Sequence, residues 1–404
     1  MASFVSETTE LLDSIRPESF KSETERSEAK EAARRLLARL ETPFERGWAI
    51  TLEASVLVPG LLVFYDLEIW SKWAGIHKSQ GPIPQSLVHI VKMCSTPAEP
   101  NLLRRFLRHF AALNVLEETA VDEWKPTPFS LAMGEESTYT NQLVRCGFNQ
   151  CNPCGINLPS FLAKNHYREH LDTKKFDNHT DTFGCVFFDY CQDNHAIGSN
   201  FIGMMTAIGR HKMDWTEVYS TASLVDGADL TDPAPFFVDI GGAHGLDTAR
   251  LLSKHPDLPP VAGLVVQDLP EVTSTHGAKE QLDPRITRMA YDFFTPQPLA
   301  GARTYFFHAV PHDWPDEQCA RIFANVKMAM KRGYSKLLVY EIVLPARGAT
   351  SLMTTLDLQL MNVLSGLERT EDHWRRLLEG SGLKVVGVSR HPSAIESVIE
   401  AELP

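Results

Sequence analysis

The chain has 404 residues, 43% hydrophobic and 22% charged, an ordinary globular composition that excludes collagen-like, disordered and disulfide-scaffold classes. Lys and Arg number 39 against 51 Asp and Glu, a formal charge of −12, so phosphate backbones and anionic lipid heads are repelled unless a local basic patch overrides the total. The opening MASFVSETTELLDS is acidic, and the most apolar early stretch, Ser55 to Tyr65, falls short of the ~20 residues of a membrane span. No signal peptide and no membrane partner are therefore expected, and seven cysteines read as free thiols of a cytoplasmic protein.

In chain order, Glu23–Leu40 carries a helical stripe through Ala29, Ala32, Ala33, Leu36, Leu37 and Leu40, ended by Thr42-Pro43. Ala49–Ile69 is apolar nearly all round. It is expected to break or kink at Pro59-Gly60 and to be buried within the fold or against another subunit. Ser86–Cys94 and Asn101–Leu113 form a helix pair, and Val115–Thr127 a β-wing, the layout of a winged helix. Arg104, Arg105 and Arg108 would serve DNA. The acidic total and the apolar Leu102, Leu103, Phe106, Leu107 and Phe110 favour instead a structural or dimerising module with no nucleic-acid partner.

Cys146, Cys151, Cys154 and the distant Cys185 approach a plant-type [2Fe–2S] spacing, and His166 or His170 would complete a zinc site. The segment between is charged and helix-like, and Pro153 and Gly155 mark a turn, so free thiols and no metal are expected. Phe201, Met204 and Met205 fall at helical spacing in Ala196–Ile208, and Met361 with Asn362 in Thr355–Leu364.

From Pro233 the rhythm changes. Strand-length runs at Phe236–Ile240, Val261–Gln267, Arg288–Tyr291, Thr304–Ala309 and Lys336–Tyr340 alternate with helix-length segments at Asp247–Lys254, Pro270–Leu282 and Pro315–Lys331. That alternation means an open parallel α/β sheet, whose ligands bind beyond the carboxyl ends of the strands. The chain is thus expected to divide into a helical domain over 1–215 and an α/β domain over 216–404.

The residues after each strand carry the chemistry. Asp239, Gly241, Gly242 and Gly245 form a glycine loop that lets backbone approach a ligand, without the GK[ST] ending of a P-loop. Asp268, beside Leu269, stands where a carboxylate takes ribose hydroxyls, and Asp292 beside Phe293 suits an adenine ring. Together they indicate an adenosine-type ligand. His312, in the loop after the fourth strand, is a candidate general base, with Asp313 beside it. Glu341 or Glu368 would orient its ring.

These residues resemble the fungal and plant class of S-adenosylmethionine-dependent O-methyltransferases of natural-product pathways. VDIGGAHG, VVQDLP, YDFF, PHDWPDEQC, LLVYEIVLP and LERTEDHWRRLLEGSGL stand in family order over residues 236–388, and the N-terminal half matches only in layout. The resemblance implies an α/β Rossmann-like class I methyltransferase domain preceded by a mainly helical dimerisation and winged-helix domain. It implies S-adenosylmethionine as cofactor and a homodimer acting on a small aromatic or polyketide-like acceptor. It places Asp239, Gly241, Gly242 and Gly245 on the methionine side, Asp268 and Leu269 on the ribose, and Asp292 and Phe293 on the adenine. His312 becomes the catalytic base flanked by Glu341 and Glu368. Phe201, Met204, Met205, Met361 and Asn362 would lie over the acceptor. Two positions depart: His308, a cofactor-contact position, replaces the more usual Lys or Arg, and His244 sits inside the glycine loop. Some fungal members keep the cofactor bound yet catalyse dehydration or pericyclic steps. The intact His312-Asp313 pair favours methyl transfer, with that lyase chemistry as the alternative.

Overall fold

The computed structural model describes residues 4–169, 177–270, 272–273 and 282–404. It divides into two compact units, Met1–Asn141 and Gln142–Pro404, so the boundary falls earlier than the change of sequence rhythm near 215. Helical residues after Gln142 pack with the α/β sheet: Trp215 stacks on Phe237 and lies 4.7 Å from Phe306, and the Tyr340 hydroxyl donates to the Met213 carbonyl at 2.8 Å.

In the first unit Glu23–Leu40 is the expected helix, with the Ser22 hydroxyl accepting the Glu25 N–H at 3.2 Å. None of its residues is buried, so its apolar stripe faces outward. Ala49–Glu53 is a single π-turn that leads into a helix over Ala54–Asp66. This helix runs through Pro59 without the expected break. The one lost backbone bond is offset where Gly60, Leu61 and Phe64 bury against the helix Pro100–Ala112. A Cβ at Gly60 would stand 3.0 Å from the Phe106 and Phe110 rings. The run is also less buried than expected: Ile50, Leu52 and Val56 are at least half exposed. By length and composition alone, Pro43–Asp66 would suffice to cross a membrane. Two helices, Leu87–Met93 and Pro100–Ala112, are followed by the antiparallel strands Leu116–Ala120 and Glu123–Pro126. Both oxygens of the wing residue Asp122 take the Arg104 guanidinium, at 2.7 and 2.9 Å, which removes one of the three arginines a DNA reading needs.

The second unit holds a seven-stranded sheet: β1 (Phe237–Ile240), β2 (Leu264–Asp268), β3 (Ile286–Ala290), β4 (Thr304–His308), β5 (Lys336–Glu341), β6 (Lys384–Ser389) and β7 (Ser397–Glu402). The spatial order is β6-β7-β5-β4-β1-β2-β3. The first five strands are parallel, and β7 pairs antiparallel with both β5 and β6. Alternate residues serve opposite layers: Val238, Tyr305, Phe307 and Val339 face one apolar cluster, while Phe237, Phe306, Leu338 and Tyr340 face the other. Six helices matter for the site: α1 (Asn152–Lys164), α2 (His195–His211), α3 (Leu246–Lys254), α4 (Asp316–Ala329), α5 (Ser351–Val363) and α6 (Glu371–Gly380). Helix α4 starts one residue after Pro315, and Thr370 caps α6 by accepting the His373 N–H. Most of the helix expected over Pro270–Leu282, and His170, lie outside the described residues.

Candidate active site

The expected ligand residues stand after the ends of parallel strands. Beyond β1 the backbone turns left-handed at Gly241, φ +76°, where a Cβ would lie 2.7 Å from Val310 Cγ2. A Cβ at Gly242 would sit 2.4 Å from the carboxyl carbon of Asp239. Glycine is thus required at both positions. The loop is held from outside: Arg288 donates to the carbonyls of Ala243 and His244 at 2.6 and 3.0 Å, and the Gln267 carbonyl accepts from Gly241 and Gly242. Asp239 is buried; one oxygen accepts the Thr248 hydroxyl at 2.9 Å and the other has no hydrogen-bond partner. Burial, reinforced by Asp247, pushes its pKa up to about 7.

At the end of β2 the Asp268 carboxylate accepts the N–H groups of Ala243 and Leu269, at 2.9 and 2.8 Å, so it is tied to the glycine loop while Leu269 stays exposed. After β3, Asp292 accepts the Phe294 N–H at 2.9 Å. Phe293 stands edge-on to Phe294 and Trp314, its carbonyl bonded by Asn325 at 3.0 Å.

His312 sits in the short turn Pro311–Asp313 after β4. Its Nδ1 lies 3.1 Å from Glu368 Oε1 and 3.3 Å from Glu341 Oε2, its backbone N–H donates to Glu341 Oε1 at 3.2 Å, and its Nε2 lies 3.5 Å from Asp313 Oδ1. Glu341 ends β5 and is fully buried; Glu368, also buried, precedes α6. Burial alone would lower the imidazole pKa, but Glu341, Asp313 and Glu368 outweigh it and raise it to about 10. Burial pushes Glu341 up to about 7 and Asp313 up to about 6, in each case against the attraction of His312. The ring is therefore oriented through Nδ1, its protonated form stabilised by three carboxylates.

Sequence reasoning missed what fixes this turn. Arg369 is fully buried and donates to the carbonyls of Pro311 and Trp314, at 3.1 and 2.7 Å, and to Asp316 at 2.9 Å, while its guanidinium stacks over Trp374. The Leu367 N–H donates to the His312 carbonyl at 2.9 Å, and Asp357 accepts the Glu368 N–H at 2.9 Å. The only signal was an arginine between an acidic loop and an acidic helix start.

Beside the base lies a second charge group. His308 Nδ1 is 2.6 Å from Asp247 on α3, and its Nε2 3.4 Å from Glu396, which also holds Lys212 at 2.5 Å. Burial opposes the charge on His308, yet Asp247 and Glu396 raise its pKa to about 10, and Lys212 and His308 together hold Glu396 down to about 2. The position at which the resemblance has Lys or Arg is thus a histidine held between two carboxylates that favour its protonated form.

Of the acceptor-side expectations, Phe201 packs edge-on against Phe187 at 4.8 Å, Met204 and Met361 are half-buried, and Met205 is exposed. Asn362 is buried and engaged: it accepts from Asn178 at 2.9 Å and donates to the Cys151 carbonyl at 3.1 Å, joining α5 to its neighbours rather than offering polar atoms to a ligand. All seven cysteines are free. Among the described residues they form no donor group close enough to share a metal; Cys146 instead donates to Gln150 at 2.7 Å.

Residues 165–384 match the O-methyltransferase domain family. The O-methyltransferase ATR12 of Stachybotrys chlorohalonatus is 38% identical over 404 residues, all of both chains. The demethylsterigmatocystin 6-O-methyltransferase of Aspergillus parasiticus is 31% identical over 90% of this chain and 91% of its own. Among solved structures, LepI in complex with S-adenosylmethionine superposes with a TM-score of 0.87 at 25% identity over 99% of each chain, and a structure with the same measures is described as a pericyclic reaction enzyme.

Proposed function

The chain belongs to the O-methyltransferase domain family, and we propose that it methylates a hydroxyl of a small aromatic or polyketide-like metabolite using S-adenosylmethionine, with His312 as general base. The observation that carries this reading is the His312 ring held through Nδ1 by Glu341 and Glu368 after β4, two strand ends along from Asp268.

The residues present fit the cofactor. Without side chains at 241 and 242 the loop backbone closes on the Asp239 carboxylate, whose second oxygen is buried beside it with no hydrogen-bond partner and so is left for a ligand donor. Asp239, Gly241, Gly242 and Gly245 would hold the methionine end, with the cation of His308 beside it. Asp268 and Leu269 would hold the ribose, and Asp292 and Phe293 the adenine. When bound, the cofactor supplies an activated sulfonium methyl. The protein's task is then to bind the acceptor in line and to take its proton at His312 Nε2. Glu341 and Glu368, on the other ring nitrogen, stabilise the imidazolium that results. Phe201, Met204, Met205 and Met361 would cover an apolar acceptor, whereas Asn362 holds α5 in place.

The same reading includes a homodimer, supported by the outward apolar side chains of residues 4–56, and a cytoplasmic location, supported by the free thiols. The likeness to LepI favours one second reading, a lyase or pericyclase that keeps the cofactor intact. Mass spectrometry with S-adenosylmethionine and a panel of phenolic and polyketide acceptors separates the two. Stoichiometric S-adenosylhomocysteine with a product heavier by one methylene establishes the transferase. An isomeric or dehydrated product with unspent cofactor establishes the lyase.

A further inference from the structure

Lys212 follows the last turn of α2 and does not appear in any motif, yet its side chain is only 8% exposed and its ammonium rests on the buried Glu396. Glu396 precedes β7, whose first residue, Ser397, pairs across the sheet with Glu341. The Lys212–Glu396 pair therefore stands beside the strand end that carries one of the carboxylates on His312. On the other side Glu396 faces His308, whose strand neighbour is Tyr340, the residue before Glu341. The carboxylates of Glu341 and Glu368 act on the Lys212 ammonium, and the ammonium acts on Asp313. The groups facing His312 are Glu341 from β5, Glu368 from the loop before α6 and Asp313 from its own turn, with Arg369 and the Cys319 thiol behind that turn. Lys212 contacts Glu396, and from its place just after α2 its charge acts on Glu341, Glu368 and Asp313.

We propose that Lys212 is a positioning residue for proton transfer: its buried ammonium, anchored on Glu396, offsets the carboxylates crowded around His312 and so sets the pH at which that imidazole becomes a free base. The proposal rests on the reading of His312 as the base. A neutral side chain at 212 leaves Glu396 with His308 as its cation, so the negative charge remains while one positive charge is gone. The potential at His312 becomes more negative and its proton is held more tightly.

The test is a titration of the histidine ring carbons by NMR in the full chain saturated with S-adenosylhomocysteine, the His312 resonance being the one missing in His312→Gln. Lys212→Met is expected to move the His312 midpoint upward by roughly 0.5–1 pH unit, while Lys212→Arg, which keeps the charge, leaves it in place. Lys212→Gln, which still donates to Glu396, is expected to move it in the same direction and serves if Lys212→Met does not fold. An unmoved midpoint in the neutral variants, or an equal movement in Lys212→Arg, overturns the proposal. The base reading fails separately: methyl transfer by His312→Gln at the wild-type rate would remove His312 from catalysis whatever the midpoints do.

Discussion

At the scale of single residues, the chemistry turns on a histidine that carries a proton when the chain is alone. His312 is raised to about 10, so near pH 8 it is an imidazolium, the wrong form for a general base. A sulfonium cation beside the same carboxylates would compete with that proton and lower the imidazole pKa. Cofactor binding near pH 8 should therefore release protons, and S-adenosylhomocysteine, lacking the positive sulfur, should release fewer. Calorimetry in two buffers of different ionisation enthalpy counts them; equal release for both ligands, or unchanged release in His312→Gln, would dismiss this account. His312→Ala should also lower methyl transfer by ~10²-fold or more with cofactor affinity near wild type. Asp268→Ala should weaken cofactor binding, a charged ribose contact contributing ~1.5–3 kcal/mol, which a binding isotherm checks.

At the scale of elements, the turn carrying the base is held by chain segments far away in sequence. Arg369 is wholly buried with three oxygen acceptors, and a Cβ on Gly366 would stand 2.4 Å from the His312 carbonyl oxygen. Arg369→Met leaves the Pro311 and Trp314 carbonyls without their donor and should cost about 2–3 kcal/mol in chemical denaturation. Gly366→Ala should lower kcat with little change in cofactor affinity, because it displaces the turn and not the glycine loop; a kcat at the wild-type level would show that the two loops can part freely. These contacts mark the limit of what the sequence discloses. The strand-end residues Asp239, Asp268, Asp292, His312 and Glu341 could be located because each comes just after a short apolar run, and parallel topology gathers the ends of such runs on one edge of the sheet. Lys212, Asp247, Glu396 and Arg369 could not. Each pairs with a group more than 50 residues away, and lysine or arginine in a charged stretch reads as surface. Strands β6 and β7 were also missed, since β7 runs antiparallel at the far side of β5, where the strand–helix alternation has ended.

At the scale of the whole molecule, the unexplained feature is apolar surface at the N-terminal end. Phe4, Leu11, Leu37, Leu40, Phe44, Trp48, Ile50 and Val56 are all exposed. Scattered apolar residues are ordinary, but this many in so short a length of chain support the proposed homodimer. A lipid bilayer would suit Pro43–Asp66 by apolarity, yet the preceding helix Glu23–Leu40 alternates Glu, Lys and Arg with its apolar stripe, and the chain as a whole carries −12. A second copy of the chain meets that mixed face better, since opposite charges and apolar stripes recur on both partners. A stable interface needs roughly 800 Å² from each partner, and each fully covered large apolar side chain contributes ~1.5–3 kcal/mol. Sedimentation equilibrium should accordingly return twice the chain mass. Leu37→Asp with Phe44→Asp should shift the protein toward monomer, because a buried unpaired carboxylate would have to be desolvated at each site. Flotation with vesicles of anionic and zwitterionic lipid decides against this assignment if the wild-type chain rises with them and sediments as a monomer without them.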